Sequence, residues 1–207
     1  MLILSYSLVT VLAYCLVIVV GYLLGSLNFS VLLSRGLGGD VRKKGSGNAG
    51  ATNMARIYGM GAGLLTMALD MVKAVLAMLL GWHLLSDWGL MAGGVSCIVG
   101  HCFPVFYHFR GGKGISVGGA IALAIDWRVG LFVIAAFALG ALLTKKVSFG
   151  SICASVAILL ATLLFRPSLP RLLLAGLSML VALYQHRSNM KRLAEGTEPD
   201  FKPKDGK

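Results

Sequence analysis

The chain has 207 residues, is 57% hydrophobic, carries charge on only 13% of its residues and has a mean hydropathy of +0.82. A water-soluble domain of this size needs about twice that share of charge to cover its surface, so a soluble globular fold is excluded. The net charge of +11 would suggest nucleic acid on a soluble protein, but here the cations stand between apolar segments and read as topology signals and an anion site.

The first charged residue is Arg35, so residues 1–34 form an apolar run longer than the roughly 20 residues that cross a bilayer core. The alternative, a cleaved signal peptide, is disfavoured: the run exceeds the usual h-region and no basic residue precedes it. Seven candidate spans follow in chain order: Leu2–Ser34, with a bend expected near Gly21 and Gly25, then Ala62–Leu84, Trp88–Phe109, Ile115–Ile125, Val129–Thr144, Val147–Phe165 and Arg171–His186. No alternating pattern suggests barrel strands, so the expected fold is an all-α polytopic membrane protein of about seven transmembrane helices. Residues 1–195 form one membrane-embedded domain, and residues 196–207, "GTEPDFKPKDGK", read as a solvated cytoplasmic tail.

An odd number of spans puts the termini on opposite sides. Fifteen of the nineteen Lys and Arg residues fall in one set of loops and the tail, among them Arg35, Arg56, Lys113, Lys145, Lys146, Lys204 and Lys207. The opposite set holds Arg128, Arg166 and Arg171, and Lys73 lies within a span. The positive-inside rule then places the N-terminus outside and the C-terminus in the cytoplasm. Small-xxx-small pairs recur at Gly21/Gly25, Gly59/Gly63, Gly89/Gly93 and Gly114/Gly118, and read as close helix packing. Cys15, Cys97, Cys102 and Cys153 lie scattered in apolar runs without a C-x-x-C, as small core residues rather than a metal site or disulfide framework.

Four polar stretches fall on the expected cytoplasmic side. "GSGNAGATNMAR", residues 45–56, follows "RKK" and concentrates glycines with Ser46, Gly47, Asn48, Asn53 and Arg56. Glycines bring backbone N–H groups close to a ligand, successive amides form anion nests, and Arg can fork onto two phosphate oxygens. The plainer reading is a polar connecting loop. "GHCFPVFYHFRGGKGIS", residues 100–116, turns through Gly111, Gly112, Lys113 and Gly114 just before a helix, where a lysine adds to the N-terminal dipole. It is not a Walker A loop, because Tyr107 stands where the first glycine is required. "TKKVSFGSI" offers Ser148, which could equally cap a helix. "QHRSNMKRL" sets His186 and Asn189 three apart, on one face if the helix continues. Within a span, Asp70 and Lys73 are also three apart; they pair with each other, brace the site, or both. Together the four stretches suggest an anionic ligand, with phosphate as the natural candidate and two phosphates matching the surplus of cations better than one.

These residues resemble the signature regions of a known family. "GSGNAGATNMAR", "GHCFPVF…FRGGKGIS", and "HRSNMKRL" followed by "GTE" are similar, in order, to the three motifs of the bacterial acyl-phosphate:glycerol-3-phosphate acyltransferases, and "LDMVKA" looks like that family's Asp-x-x-Lys. The resemblance runs from about Gly21 to Glu198. It implies a seven-helix inner-membrane enzyme, open to the cytoplasm, that transfers a fatty acyl group from acyl phosphate to the sn-1 hydroxyl of glycerol 3-phosphate. By motif, Ser46 and Arg56 would hold substrate phosphate with Gly47, Asn48 and Asn53 nearby. Lys113, with Gly111, Gly112 and Gly114, would bind phosphate from the glycine turn, and Ser148, His186 and Asn189 would line the reaction centre. His186 would act as a general base or orient the hydroxyl, and Ser148 would hydrogen-bond substrate or act as nucleophile. No cofactor or metal is expected. The expected partners are acyl phosphate and glycerol 3-phosphate, membrane lipid and the enzyme that forms the acyl phosphate, with no nucleic acid. Asn28 stands where many members have proline, which leaves the shape of the first helix open, and Phe149 replaces a commoner leucine. Two rivals fit less well. A phosphate transporter would spread polar groups along a midplane path. Other lipid enzymes would show H-x-x-x-x-D or D-x-x-D-G, both absent here.

Overall fold

In lipid a backbone must satisfy its own polar groups, and a helix does so within one segment. The computed structural model describes residues 2–165 and 167–202, without the side chains of residues 2–6, and the regular structure among them is helical, with no strand. Arg166, Lys204 and Lys207, counted above, lie outside the described residues. The helices are α1 (Leu2–Ser26), α2 (Phe29–Gly36), α3 (Ala51–Tyr58), α4 (Met60–Cys102), α5 (Ile115–Ile125), α6 (Trp127–Thr144), α7 (Val147–Leu164), α8 (Leu169–Gln185) and α9 (Arg187–Ala194). Four helical stretches, Ser7–Gly36, Met60–Tyr107, Trp127–Thr144 and Val147–Leu164, are long and apolar enough to cross a membrane, and α5 and α8 are shorter apolar helices.

The expected first span is two helices rather than one. Asn28 breaks it: its side-chain oxygen accepts from the Val31 amide at 3.2 Å and the Ser30 hydroxyl at 2.6 Å, capping a new helix start. The carbonyls of Gly25 and Leu27 are left at the end of α1, and Lys73 reaches them from α4 at 3.0 and 2.7 Å. The same ammonium pairs with Asp70 at 2.7 Å and meets Nδ1 of His101 at 3.1 Å. The buried charges therefore both pair with each other and tie α4 to the broken end of α1.

The second and third expected spans are the two limbs of α4. Leu85 and Ser86 leave helical geometry, with Ser86 at φ 55°, and the chain doubles back. The limbs approach so closely that a Cβ on Gly81 would strike the Gly89 carbonyl, and one on Gly93 the Ala77 carbonyl. We expect Gly89→Val to cost about 1–3 kcal/mol or more, read as a lower thermal midpoint in detergent. Gly61→Val, where nothing stands within 4 Å of the added carbon, should leave that midpoint unchanged. The second limb ends at Cys102 rather than Phe109, because Pro104 and the left-handed His108 and Phe109 turn the chain. Gly25 and Gly100 press α1 onto this limb, each against backbone. The 114/118 pair does not pack this way: a Cβ added at Gly118 would meet no neighbouring atom within 4 Å.

At one end of the bundle, Asp87, Ser168 and Arg171 are hydrogen-bonded together and Arg171 also donates to the Ile125 carbonyl at 2.8 Å. The loops at the other end form the site. There a small cluster of Val31, Val41, Ala49, Met54 and Tyr107 supports the loop that precedes α3. In the described part of the tail, residues 196–202, most residues are exposed, but Glu198 is buried and the segment is held against the start of α7. Lys146 donates to the Glu198 carbonyl at 2.6 Å and pairs with Asp200 at 3.0 Å, and the Phe201 amide donates to the Lys145 carbonyl at 3.1 Å. These contacts fold the tail back over the start of α7 and bury Glu198 to 7% exposure.

Candidate active site

A cavity of about 540 Å³ opens among α3, α4, α5, α6, α7, α8, α9 and the returning tail. Its mouth brings together Ser46, Asn48, Asn53, Arg56, Lys113, Gly114, Ser148, His186 and Asn189 from the four polar stretches. Three helices, α3, α5 and α7, begin at this cavity without a side-chain cap on their first amides: Ala51, Ile115 and Val147 all line it. Each uncapped start carries roughly half a positive charge and free N–H groups. The last turn of sequence before each start is Gly50, Gly114 and Lys146, none of which supplies a capping oxygen.

Three cations, Arg56, Lys113 and Arg192, stand at the mouth with Glu198; the other carboxylate on the cavity wall, Asp70, is paired with Lys73. Arg56 makes no hydrogen bond or ion pair among the described residues, so its guanidinium remains available. Lys113 donates to Oδ1 of Asn189, whose amide donates to Glu198 at 2.7 Å, and Glu198 also accepts from Arg192 at 2.7 Å. Burial, together with Arg192 and Arg56 nearby, pushes Lys113 down to about 8. Burial would raise Glu198, but Ser148, Asn189 and Arg192 around it outweigh that and hold it below the usual carboxylate range. The Ser148 hydroxyl is buried beside that carboxylate and makes no hydrogen bond of good geometry.

His186 sits where α8 passes into α9 and is 3% exposed. Its Nδ1 lies 2.8 Å from the Ala182 carbonyl. A carbonyl can only accept, so Nδ1 carries the proton and Nε2 keeps a lone pair free. Burial pushes this imidazole down to about 4, with Lys113 contributing. It is neutral at pH 7.

Four of the expected site residues sit differently from the rest. Asn53 reaches the cavity wall, but its side chain is spent on its own loop: Oδ1 accepts from the Ser46 amide at 3.0 Å, and Nδ2 donates to the Val41, Lys44 and Asn48 carbonyls. It shapes the loop that presents Ser46 and Asn48. Gly47, Gly111 and Gly112 do not line the cavity. Gly47, at φ 70°, turns the loop. Gly111 and Gly112 pack on His101, where a Cβ would strike its carbonyl or its ring. Sequence reading in turn missed Arg192 and Glu198 as cavity residues. Arg192 is three residues after Asn189, a helical spacing that was available as a signal; the docking of Glu198 had none beyond the "GTE" of the third motif.

The chain is similar to known proteins over nearly its whole length. Residues 15–196 match the family described as glycerol-3-phosphate acyltransferase. A glycerol-3-phosphate acyltransferase of Thermoanaerobacter pseudethanolicus is 39% identical over 87% of this chain and 91% of its own. That of Symbiobacterium thermophilum is 42% identical over 88% and 92%. Among solved structures, the glycerol 3-phosphate form of PlsY, an integral membrane glycerol 3-phosphate acyltransferase, superposes with a TM-score of 0.87 at 31% identity, covering 91% of this chain and 96% of that one. A lysophosphatidic acid form of PlsY superposes with a TM-score of 0.85. Fold and cavity thus define a multi-pass membrane enzyme of phospholipid synthesis. The chain belongs to the glycerol-3-phosphate acyltransferase family.

Proposed function

We propose that the chain moves a fatty acyl group from acyl phosphate to the sn-1 hydroxyl of glycerol 3-phosphate, releasing lysophosphatidic acid and phosphate as the first step of phospholipid synthesis. The observation that carries this reading is the mouth of the cavity: three uncapped helix starts and three cations around Glu198, above a mostly apolar interior. Such a mouth favours two phosphorylated reactants over one. The apolar walls suit an acyl chain.

An acyl phosphate is a mixed anhydride with a good leaving group already built in. The hydroxyl oxygen attacks the acyl carbon, the carbon–oxygen bond to phosphate breaks, and phosphate leaves with the bonding pair and takes up the proton the hydroxyl gives up. The enzyme's task is to hold two anions together and to stabilise charge as it shifts to the departing phosphate. Arg56, Ser46, Asn48 and the α3 amides take one phosphate; Lys113 and the α5 amides take the other. His186 offers Nε2 to the glycerol hydroxyl. Its depressed basicity suits orienting that hydroxyl better than removing its proton early. Ser148 then serves as a hydrogen-bond donor to substrate, and Asn189 positions Lys113. The protein crosses the bacterial inner membrane seven times, with α1 and α2 as one crossing, each α4 limb as another and α5 and α8 as the short ones. The N-terminus lies outside and the site opens to the cytoplasm, next to the enzyme that forms acyl phosphate.

The test is direct. Purified protein is supplied with glycerol 3-phosphate and, separately, palmitoyl phosphate, acyl-CoA or acyl carrier protein. Lysophosphatidic acid should form only from the acyl phosphate; equal use of acyl-CoA would overturn the donor.

A further inference from the structure

Below its polar mouth the cavity is mostly apolar, walled by Met67 and Met71 of α4, Leu123 of α5, Val133 and Phe137 of α6 and Ile158 of α7, with Asp70, His101 and Ser155 among its polar lining. It reaches the outer face of the bundle, since Leu123 and Ile134 both line it while being 43% and 56% exposed. The Ser178 hydroxyl on α8 is buried, has no partner and also lines it.

Helix α5 forms the floor. One of its faces is packed: Val117, Ala120, Ile121 and Ile125 are each 2% exposed or less. The opposite face turns Ile115, Gly118, Gly119 and Leu123 to the cavity. Glycine is the poorest helix former after proline, so two in succession inside an 11-residue helix call for a reason. Elsewhere in the bundle that reason is close packing, as at Gly25, Gly81, Gly89, Gly93 and Gly100, where an added Cβ would run into backbone. At Gly118 and Gly119 it would meet nothing within 4 Å. These two positions are bare without being crowded, and the space above them belongs to the cavity.

We propose that Gly118 and Gly119 determine acyl-donor specificity: they keep the floor bare so that a long, straight acyl chain can lie across α5 on its way to the lipid-facing opening. The proposal rests on the acyltransferase reading and deepens it. Position 118 lies about 6 Å along the helix from Gly114 at the polar mouth, so a side chain there meets the acyl chain within its first several carbons. Long chains would be hindered, while a chain that ends before that point would not reach the obstacle.

The experiment compares Gly118→Leu, Gly119→Leu and the milder Gly118→Ala with the parent enzyme, using palmitoyl phosphate and butyryl phosphate as donors and following the KM of each substrate. Losing the equivalent of two methylene contacts, each a factor of about four, should lower the palmitoyl-to-butyryl ratio of kcat/KM by roughly tenfold or more in the leucine variants, with a smaller shift in the same direction for alanine. The KM for palmitoyl phosphate should rise while that for glycerol 3-phosphate stays within about twofold. Gly61→Leu, outside the cavity and equally free of neighbours, should leave the ratio unchanged. Thermal midpoints accompany each variant; if leucine unfolds the protein, the alanine variant decides. An active parent whose variants keep its donor ratio, or lose both donors in parallel with glycerol 3-phosphate affinity, overturns this proposal alone. A parent that uses neither acyl phosphate overturns the acyltransferase reading and this proposal with it.

Discussion

Lys113→Ala should lower kcat/KM by a factor of about 10²–10³, the usual cost of removing one preorganised donor from developing negative charge. The protein should still fold, because the lysine reaches the cavity from a loop, and its hydrogen bond goes to Asn189, which keeps Glu198 as a partner. A pH profile separates an electrostatic role from a packing one. Lys113 is pushed down to about 8, so it is charged at pH 7 and loses its charge as pH rises through that value. A phosphate monoester titrates near 6 and is fully ionised above pH 7. The parent's kcat/KM should therefore fall on the alkaline side with a midpoint near 8, a limb that belongs to the free enzyme. Bound phosphate would favour the charged lysine and move the corresponding limb of kcat upward. Lys113→Arg keeps its charge over this whole range, so whatever activity it retains should lack the limb. His186, held down to about 4, should leave no acid limb near the ordinary histidine value. A flat profile through pH 9 in the parent, or near-parental turnover in Lys113→Ala, would remove Lys113 from the chemistry.

Much of this organisation was readable before any coordinates, for a physical reason. Lipid forces apolar runs into helices and drives polar residues out of them, so hydropathy alone gave most helix ends within a few residues, and Ile115–Ile125 as it stands. The same pressure made the polar stretches conspicuous, and the structure gathers Arg56, Lys113, Ser148, His186 and Asn189 around one cavity. What stayed hidden depends on contacts. Asn28 sits in an unbroken apolar run, and only its bonds to Val31 and Ser30 show that the helix restarts there. Asn53 and Arg56 look alike as polar members of one loop; four hydrogen bonds commit the first, while the second is left free. Glu198 belongs to a stretch with the composition of a solvated tail, and it is buried because Lys146, some fifty residues earlier, holds its backbone. Gly118 fits a spacing that elsewhere means tight packing, and here it borders empty space.

Lys73→Met should be the most damaging single change to stability. The Lys73 ammonium, 2% exposed, serves four groups at once: Asp70, the Gly25 and Leu27 carbonyls, and Nδ1 of His101. Methionine matches its shape and apolar stem, so the packing loss is small. The electrostatic loss is not small, because Asp70 is left as an uncompensated buried charge and the open end of α1 loses its cation. Breaking one partner out of such a buried pair costs roughly 3–5 kcal/mol, which for a chain of this size corresponds to about 10 °C in thermal midpoint. The pair as a whole is a different quantity from its halves. Removing both charges leaves no orphan, and the double variant Asp70→Asn with Lys73→Met should recover most of the loss, short of what the two α1 carbonyls still lack. Midpoints of the two single variants and the double variant, measured in the same detergent, close the cycle. If Lys73→Met melts with the parent, the ammonium does not hold α1 to α4. If the double variant is no better than the single, the carbonyl contacts rather than the ion pair carry the stability, and the break after Leu27 is what Lys73 exists to close.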